Sequence, residues 1–339
     1  MIDLRPALCS LAALALTACG RGPDVQLYVA LDQEHSQAMV QRFEAKSGMR
    51  VKARYDTEAS KTVGLVSALI EEAPRPRCDV FWNNELAQTV RLAQKGVLQA
   101  YASPAAAGIP ARYRDPKALW HGFAARARVF IVNTKRIPDP KDYPRRLRDL
   151  IDPKWKGQCA IARPLTGTTL THFTALRLAM GEQKLDEFIA AMRSNEVAFL
   201  QSNGATMKET ASGKLAFALT DTDDFHVALR KGNPVAAVFP DQEDGGLGTM
   251  LIPNSVAMVK GAPHPEAARK LIDFILSKEV EGLLAAARSA QIPLRADVTG
   301  PSEAQILRIG AFRQMAWEPQ ATAGALSAAA THFAKVFGG

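Results

Sequence analysis

The sequence predicts an α/β protein of two lobes, each a mixed sheet flanked by helices, with a ligand cleft between them. Three observations carry this. Short apolar runs alternate with stretches of helical period along nearly the whole chain, the rhythm that sets parallel strands side by side with helices on both faces. The length of 339 residues corresponds to two domains on a prior of roughly 150 residues each. No Gly/Ser linker, repeat or low-complexity segment separates the two units, so the chain crosses between them several times and leaves a cleft suited to closing on a ligand.

Val25–Ala30 reads as the first strand, and Ser36–Lys46 as a helix with Met39, Val40 and Phe43 on one face and Gly48 closing it. Val51–Tyr55 is the second strand, followed by a helix carrying Val63, Val66, Leu69 and Ile70 that stops before Pro74. Asp79–Trp82 is the third, and a helix from about Glu85 to Lys95 ends at Gly96. Ligands of such sheets sit beyond the carboxyl ends of the strands, which singles out the loops at 31–34, 56–61 and 83–85. A second unit starts near Arg126, with strands at Val129–Asn133, Cys159–Ala162, Leu215–Leu219, Val235–Phe239 and Leu251–Val259. Its helices fall at Thr168–Met180 and Lys184–Arg193, and a well-marked helix at Pro265–Leu276 follows the last strand. The first lobe is then 25–125 plus about 250–298, and the second 126–249 plus about 299–339.

Apolar residues make up 47% and charged residues 22% of the chain, the mix of a folded globular protein, which excludes a disordered chain or a fibre. No apolar run beyond residue 19 approaches the length of about 20 needed to span a bilayer. Forty-two Lys+Arg against 34 Asp+Glu give a net charge of +8. The positive residues are scattered and aromatics, at 7%, do not interleave with them, so the charge reads as a solvated surface and not as a nucleic-acid platform.

Arg5 precedes an apolar stretch from Ala7 to Ala18 that ends in Leu16-Thr17-Ala18-Cys19. At about 12 residues this is a signal-peptide core, too short for an anchor helix. Its end resembles the lipobox of bacterial lipoproteins, so residues 1–18 are expected to be removed, Cys19 to carry lipid and 19–24 to form a tether. The alternative is an ordinary secretory signal, and either way the chain is exported. Cys78 and Cys159 are expected to be buried free thiols.

The densest acidic feature is Thr220-Asp221-Thr222-Asp223-Asp224, directly after an apolar strand. Three carboxylates in four residues repel one another, and a hard metal ion or an ammonium group would offset them; a solvated helix cap is the alternative. Leu165-Thr166-Gly167-Thr168-Thr169 opens a helix, whose free N–H groups form an anion site in principle. Arg126 and Arg128 share one face of a strand and can hold an anion bidentately, or can simply be solvated. None of the six histidines has zinc spacing; His226 beside the acidic loop is the one to watch. No nucleophile elbow, Walker loop or dinucleotide fingerprint is present, and nothing argues for catalysis.

Tyr28-Val-Ala-Leu-Asp32, Phe43 to Gly48, Asp79-Val-Phe81, Pro153-Lys-Trp-Lys-Gly157, Leu271-Ile-Asp-Phe274 and Pro293-Leu-Arg-Ala-Asp297 resemble the ferric-iron-type (class II) solute-binding proteins of bacterial ABC importers. The resemblance runs from about residue 25 to 300. It implies a type 2 periplasmic-binding-protein fold, no enzymatic activity, a periplasmic monomer, capture by hinge closure and delivery to an ABC permease in the inner membrane. It implies no nucleic-acid partner, and contact with the membrane only through the lipid on Cys19.

The family's cargo positions map onto Asp32, onto Asn84 with Glu85 one place later, and onto Asp223 and Asp224 where ferric binders carry two tyrosines. Hard carboxylates at Asp32, Asp223 and Asp224 suit iron(III), a divalent ion or an organic ammonium. The family's anion loop maps onto Thr166, Gly167, Thr168 and Thr169, and its arginine strand onto Arg126-Ala-Arg128, with Arg126 as the anion ligand. The resemblance therefore implies a bound ferric or divalent ion with a synergistic anion, without a required cofactor. A zwitterion such as an aminophosphonate, or a polyamine, is the alternative cargo. A metal-dependent hydrolase built on the Asp cluster, and a binding protein that feeds a sensor, are the readings from other classes.

Overall fold

The computed structural model of the chain describes residues 24–31, 33–56, 63–298 and 309–337. The export signal and Cys19 lie outside the described residues, and so does Asp32.

The first unit runs β1 (Val25–Val29), α1 (Gln33–Ser47), β2 (Val51–Tyr55), α2 (Val63–Glu71) and β3 (Val80–Asn83). β1 pairs in parallel with β2 on one side and β3 on the other. All four residues of β3 are buried, which is why it reads Val-Phe-Trp-Asn without polar alternation. After α3 (Leu86–Gln94) and β4 (Leu98–Gln99) comes β5 (His121–Asn133). β5 is buried along all 13 residues. The sequence marks an apolar strand from Val129 and a strand-like stretch through Arg126 and Arg128 before it; in the fold the two are one strand starting at His121, and its polar side chains are buried with partners.

The second unit is β6 (Cys159–Ala162), α4 (Gly167–Met180), α5 (Glu182–Ser194), β7 (Ala198–Leu200), α6 (Asn203–Ala211), β8 (Phe217–Asp221), α7 (Thr222–Arg230) and β9 (Val235–Val238). The chain returns through β10 (Leu251–Val259) to α8 (Pro265–Ile275), α9 (Lys278–Ala286) and α10 (Pro319–Phe337). Among the described residues the strands join in the order β2-β1-β3-β10-β5-β8-β6-β7, with β4 beside β10 and β9 beside β5. Up to Ala127, β5 pairs with β10; beyond it Arg128–Val132 pair with β8 and Phe130–Asn133 with β9. β10 in turn passes from β5 to β3. Two strands thus belong to both halves of the molecule.

The join is irregular. The β5–β10 register shifts between Pro253 and Asn254, and Ala124 takes a φ of +34°, a region residues with a Cβ avoid. Buried groups satisfy the backbone there. Glu281 Oε1 accepts from the N–H of Ala124 at 2.8 Å and of Leu294 at 2.9 Å. Asn254 Nδ2 donates to Gln291 Oε1 at 2.7 Å and to the Ala124 carbonyl. Without such partners an interrupted, buried ladder would leave polar groups orphaned.

Aromatic pairs anchor the core on both sides of the join: Trp82 with Phe123 at 5.4 Å between ring centroids, and Phe217 with Phe130 at 5.1 Å and Trp155 at 5.4 Å. The C-terminal helix, expected to pack on the second lobe, does so and reaches the first lobe as well. α10 lies against both α3 and α4, with Gln94 Nε2 donating to the Gln320 carbonyl at 3.0 Å and Phe333 packed on Phe173 at 6.1 Å. Small buried residues such as Thr322, Ala323 and Ala329 let it lie close to two helices at once. Cys78 and Cys159 are buried and free, and burial pushes the Cys159 thiol up to about 12. Among the described residues no helix is long and apolar enough to cross a membrane.

Candidate functional site

Helices α4, α6 and α7 follow the parallel neighbours β6, β7 and β8, so all three begin at the same edge of the sheet. Their first residues and N-caps line one cavity of about 380 Å³, which faces Glu34, His35, Asn84 and Arg288 on the opposite side. The position is the one α/β sheets favour, beyond the carboxyl ends of the strands.

Each helix start is built differently. Ser202 caps α6, its Oγ accepting from Ala205 N at 3.2 Å. Thr166 and Asp221 occupy the N-cap positions of α4 and α7, yet neither side chain bonds to its own helix. Gly167 has a φ of +59° and opens α4 with nothing within 4 Å of where a Cβ would stand, so its backbone borders the cavity directly.

An ion network forms part of the cavity wall, with Arg126, Thr168, Asn203 and Asp221 all in the lining. Asp221 is buried. Its Oδ1 accepts from Arg128 Nη1 at 2.6 Å, and its Oδ2 from Thr168 Oγ1 at 2.7 Å, Asn203 Nδ2 at 3.1 Å and Arg126 Nη1 at 3.4 Å. Burial pushes the Asp221 carboxyl up, but the Arg128 and Arg126 guanidiniums outweigh it and hold the group below the usual carboxylate range. Arg126 also reaches Asp223 Oδ2 at 3.5 Å and the Asn84 carbonyl, and so ties the end of β3 to the start of α7. One oxygen each from Asp221, Asp223 and Asp224 lie within 4.8 Å of one another. Thr220 Oγ1 donates to Asp224 Oδ2 at 2.8 Å.

Eight of the residues picked out in the sequence meet here: Asn84, Arg126, Thr166, Gly167, Thr168, Thr169, Asp223 and Asp224 all line the cavity. Glu85 does not, and this corrects the ligand role assigned to it. Its carboxylate caps α3, accepting from Gln88 N at 2.7 Å and Ala87 N at 3.0 Å, and takes Thr171 Oγ1 at 2.7 Å; burial raises its pKa. The anion role of Arg126 and Thr168 also needs revision, because both already donate to Asp221. His226 is not in the lining; burial lowers it to about 4. Among the described residues one further metal-capable group exists, Glu182, Asp186 and His332, but Glu182 pairs with Arg177 and Asp186 with His332.

Sequence reasoning missed Asp221 as a distinct member of the acidic run, although its place as the last residue of β8 was a usable signal. Asn203 was missed with the strand before it, since β7 has three half-buried residues. Glu34, His35, Arg163, Lys208, Lys231 and Arg288 also line the cavity. The wall therefore carries both signs of charge.

A sequence profile described as bacterial extracellular solute-binding protein matches residues 81–311. Iron uptake protein A1 of Synechocystis is 26% identical over 320 residues, covering 88% of this chain and 86% of that one. A Salmonella typhi periplasmic protein named for 2-aminoethylphosphonate binding is 26% identical over 259 residues, 75% of this chain and 74% of that one. The structure of iron-bound HitA from Pseudomonas aeruginosa superposes with a TM-score of 0.81 at 23% identity, covering 91% of this chain and 98% of that one; at that identity the likeness speaks for the two-lobed fold.

Proposed function

Because the chain belongs to the family of bacterial extracellular solute-binding proteins, we propose that its cavity captures a solute presenting a positive centre together with anionic groups, and hands it to an ABC permease. The protein binds its solute and does not transform it. Iron(III) carried by an anion is the leading cargo.

The observation that carries this reading is the pairing of charges inside one cavity. Asp223 and Asp224 supply hard carboxylates, while the starts of α4 and α6, with Arg163 and Lys208, supply anion-attracting groups on the same wall. A ferric ion brought in with citrate or phosphate meets both. The name of the Synechocystis relative and the iron in HitA support that cargo. None of the chain's five tyrosines lines the cavity, so carboxylates would replace phenolates as iron ligands.

That same lack of tyrosine favours a second reading, an organic zwitterion with its ammonium on Asp223 and Asp224 and its phosphonate or carboxylate at the helix starts. The Salmonella relative's name points the same way. A polyamine fits less well, because Lys208 and Lys231 would repel it. Residues 1–18 would direct export, and lipid on Cys19 would tether a monomer to the membrane.

Thermal unfolding of the purified protein tests the proposal, with ferric citrate with and without phosphate, divalent chlorides, 2-aminoethylphosphonate, polyamines and amino acids as the panel. A ligand at about 100 times its dissociation constant adds about 2.7 kcal/mol, a rise of several degrees. A rise with ferric citrate supports the iron reading. A rise confined to the aminophosphonate overturns iron in favour of the zwitterion, and no rise with any cation-bearing solute overturns both.

A further inference from the structure

We propose that Asp221 is a built-in anion: its carboxylate fills, from within the chain, a pocket whose donors would otherwise hold an external oxyanion. The inference rests on reading the cavity as the solute site.

The donor set supports it first. Two guanidiniums from β5, a hydroxyl from α4 and an amide from α6 converge on one carboxylate, at 2.6 Å from Arg128, 2.7 Å from Thr168, 3.1 Å from Asn203 and 3.4 Å from Arg126. Planar guanidiniums with added hydroxyl and amide donors are the chemistry that recognises phosphate and carboxylate groups. The orientation of Asp221 is the second observation. An aspartate at an N-cap normally turns its oxygens to its own helix N–H groups, but Asp221 makes no such bond to α7 and points into the Arg126–Arg128 pocket instead. Charge balance is the third. Arg128 is fully buried, and Asp221 is the carboxylate it pairs with. A buried guanidinium without a counter-ion is strongly destabilising, so some anion must stand where Asp221 does.

The consequence concerns what the cavity accepts. A small inorganic anion finds the Arg126, Arg128, Thr168 and Asn203 donors already taken. Capture of the cargo's positive centre at Asp223 and Asp224 then needs no separate inorganic co-ligand. Any anionic part of the cargo is left to the backbone at Gly167 and Gly204 and to Lys208, which line the same cavity. Asp221 thus determines specificity by occupying the donors that the cargo's anionic end would otherwise use.

Chemical rescue tests this without any cargo. The purified protein, Asp221→Gly and Asp221→Asn are unfolded by heat in potassium formate and, at matched ionic strength, in potassium chloride. Asp221→Gly, which leaves room for a carboxylate, is expected to gain several degrees more in formate than the parent does. Asp221→Asn, which still fills the space, is expected to gain no more than the parent. If Asp221→Gly does not fold in chloride, the readout becomes the folded fraction recovered by refolding in formate. An equal response of Asp221→Gly and the parent, or no recovery in formate, overturns the proposal. Calorimetric titration with inorganic phosphate adds a second arm: at least tenfold tighter binding to Asp221→Gly than to the parent is expected, and equal affinity counts against a built-in anion. Since no cargo enters either arm, a blank solute panel and a failed rescue remain distinguishable.

Discussion

Thr171 Oγ1 donates to Glu85 Oε2 at 2.7 Å, and both side chains are buried. This bond joins the N-terminus of α3, which follows β3, to α4, which follows β6, so it ties together elements from opposite halves of the sheet. Thr171→Val keeps the volume and removes the donor. Loss of a bond to a buried carboxylate costs about 1–3 kcal/mol, and the unfolding free energy from urea titration is expected to fall by that amount, through a lower midpoint with an unchanged m value. Burial raises the Glu85 pKa, so the stability linked to its protonation is present below the ordinary value and is lost as pH rises through the raised one. Removing the Thr171 donor raises it further, and the deficit of Thr171→Val is therefore larger at pH 7 than at pH 4. A deficit independent of pH would mean the bond is not made to a charged Glu85.

Asp223 and Asp224 stand at the first turn of α7 within reach of Asp221. Asp223→Asn is expected to weaken binding of whichever solute raises the thermal midpoint by about tenfold to a hundredfold, from roughly 1.5–3 kcal/mol for an interaction with a charged group. Isothermal titration calorimetry gives the ratio. Unchanged affinity would remove the cation half of the proposed function.

Gly167 opens α4 at a φ of +59° with no atom near its missing Cβ, so an added methyl meets strain without a clash. Gly167→Ala is expected to lose about 1–2 kcal/mol of stability, measured by denaturant unfolding, and to bind the solute more weakly because the strained loop retreats from this backbone. A stability loss near zero would mean the loop accepts another conformation.

Asp241 follows β9, at a φ of +58°. Its Oδ1 accepts from Leu147 N at 3.1 Å, while burial pushes the carboxyl up to about 6 from 3.8. The raised value means a contribution present below pH 3.8 and lost as pH rises through about 6. From pH 7 to pH 5 the parent should gain about 1 kcal/mol that Asp241→Asn lacks, and Asn tolerates the left-handed backbone. Parallel pH profiles for the two proteins would contradict this.

Much of the architecture was legible because burial writes itself as apolar runs. β6 carries only apolar residues and β3 nearly so, while β10 is apolar at both ends around a central Pro-Asn-Ser, and these strands fall within a residue of where the pattern puts them. β5 was half legible: the eight residues before Val129, His121, Arg126 and Arg128 among them, are buried by partners distant in sequence, which no local pattern records. The same reason governs the site. The loop at Thr166–Thr169 and the acidic run announced themselves by composition. Glu85 looked like a ligand beside Asn84, but one residue along the chain turns it from the cavity to the start of α3. Asp221 was visible as a charge but not as a partner, since Arg128, Thr168 and Asn203 come to it from three separate segments.

The undivided strand β5 also bears on how the molecule comes apart. Residues 121–127 pair with β10, residues 128–132 with β8 and residues 130–133 with β9. Melting either set frees one part of a segment whose other part is still paired, exposing apolar backbone that cannot fold alone. Heat should therefore produce one calorimetric peak with equal van't Hoff and calorimetric enthalpies, so that the two lobes behave as a single cooperative unit when they unfold.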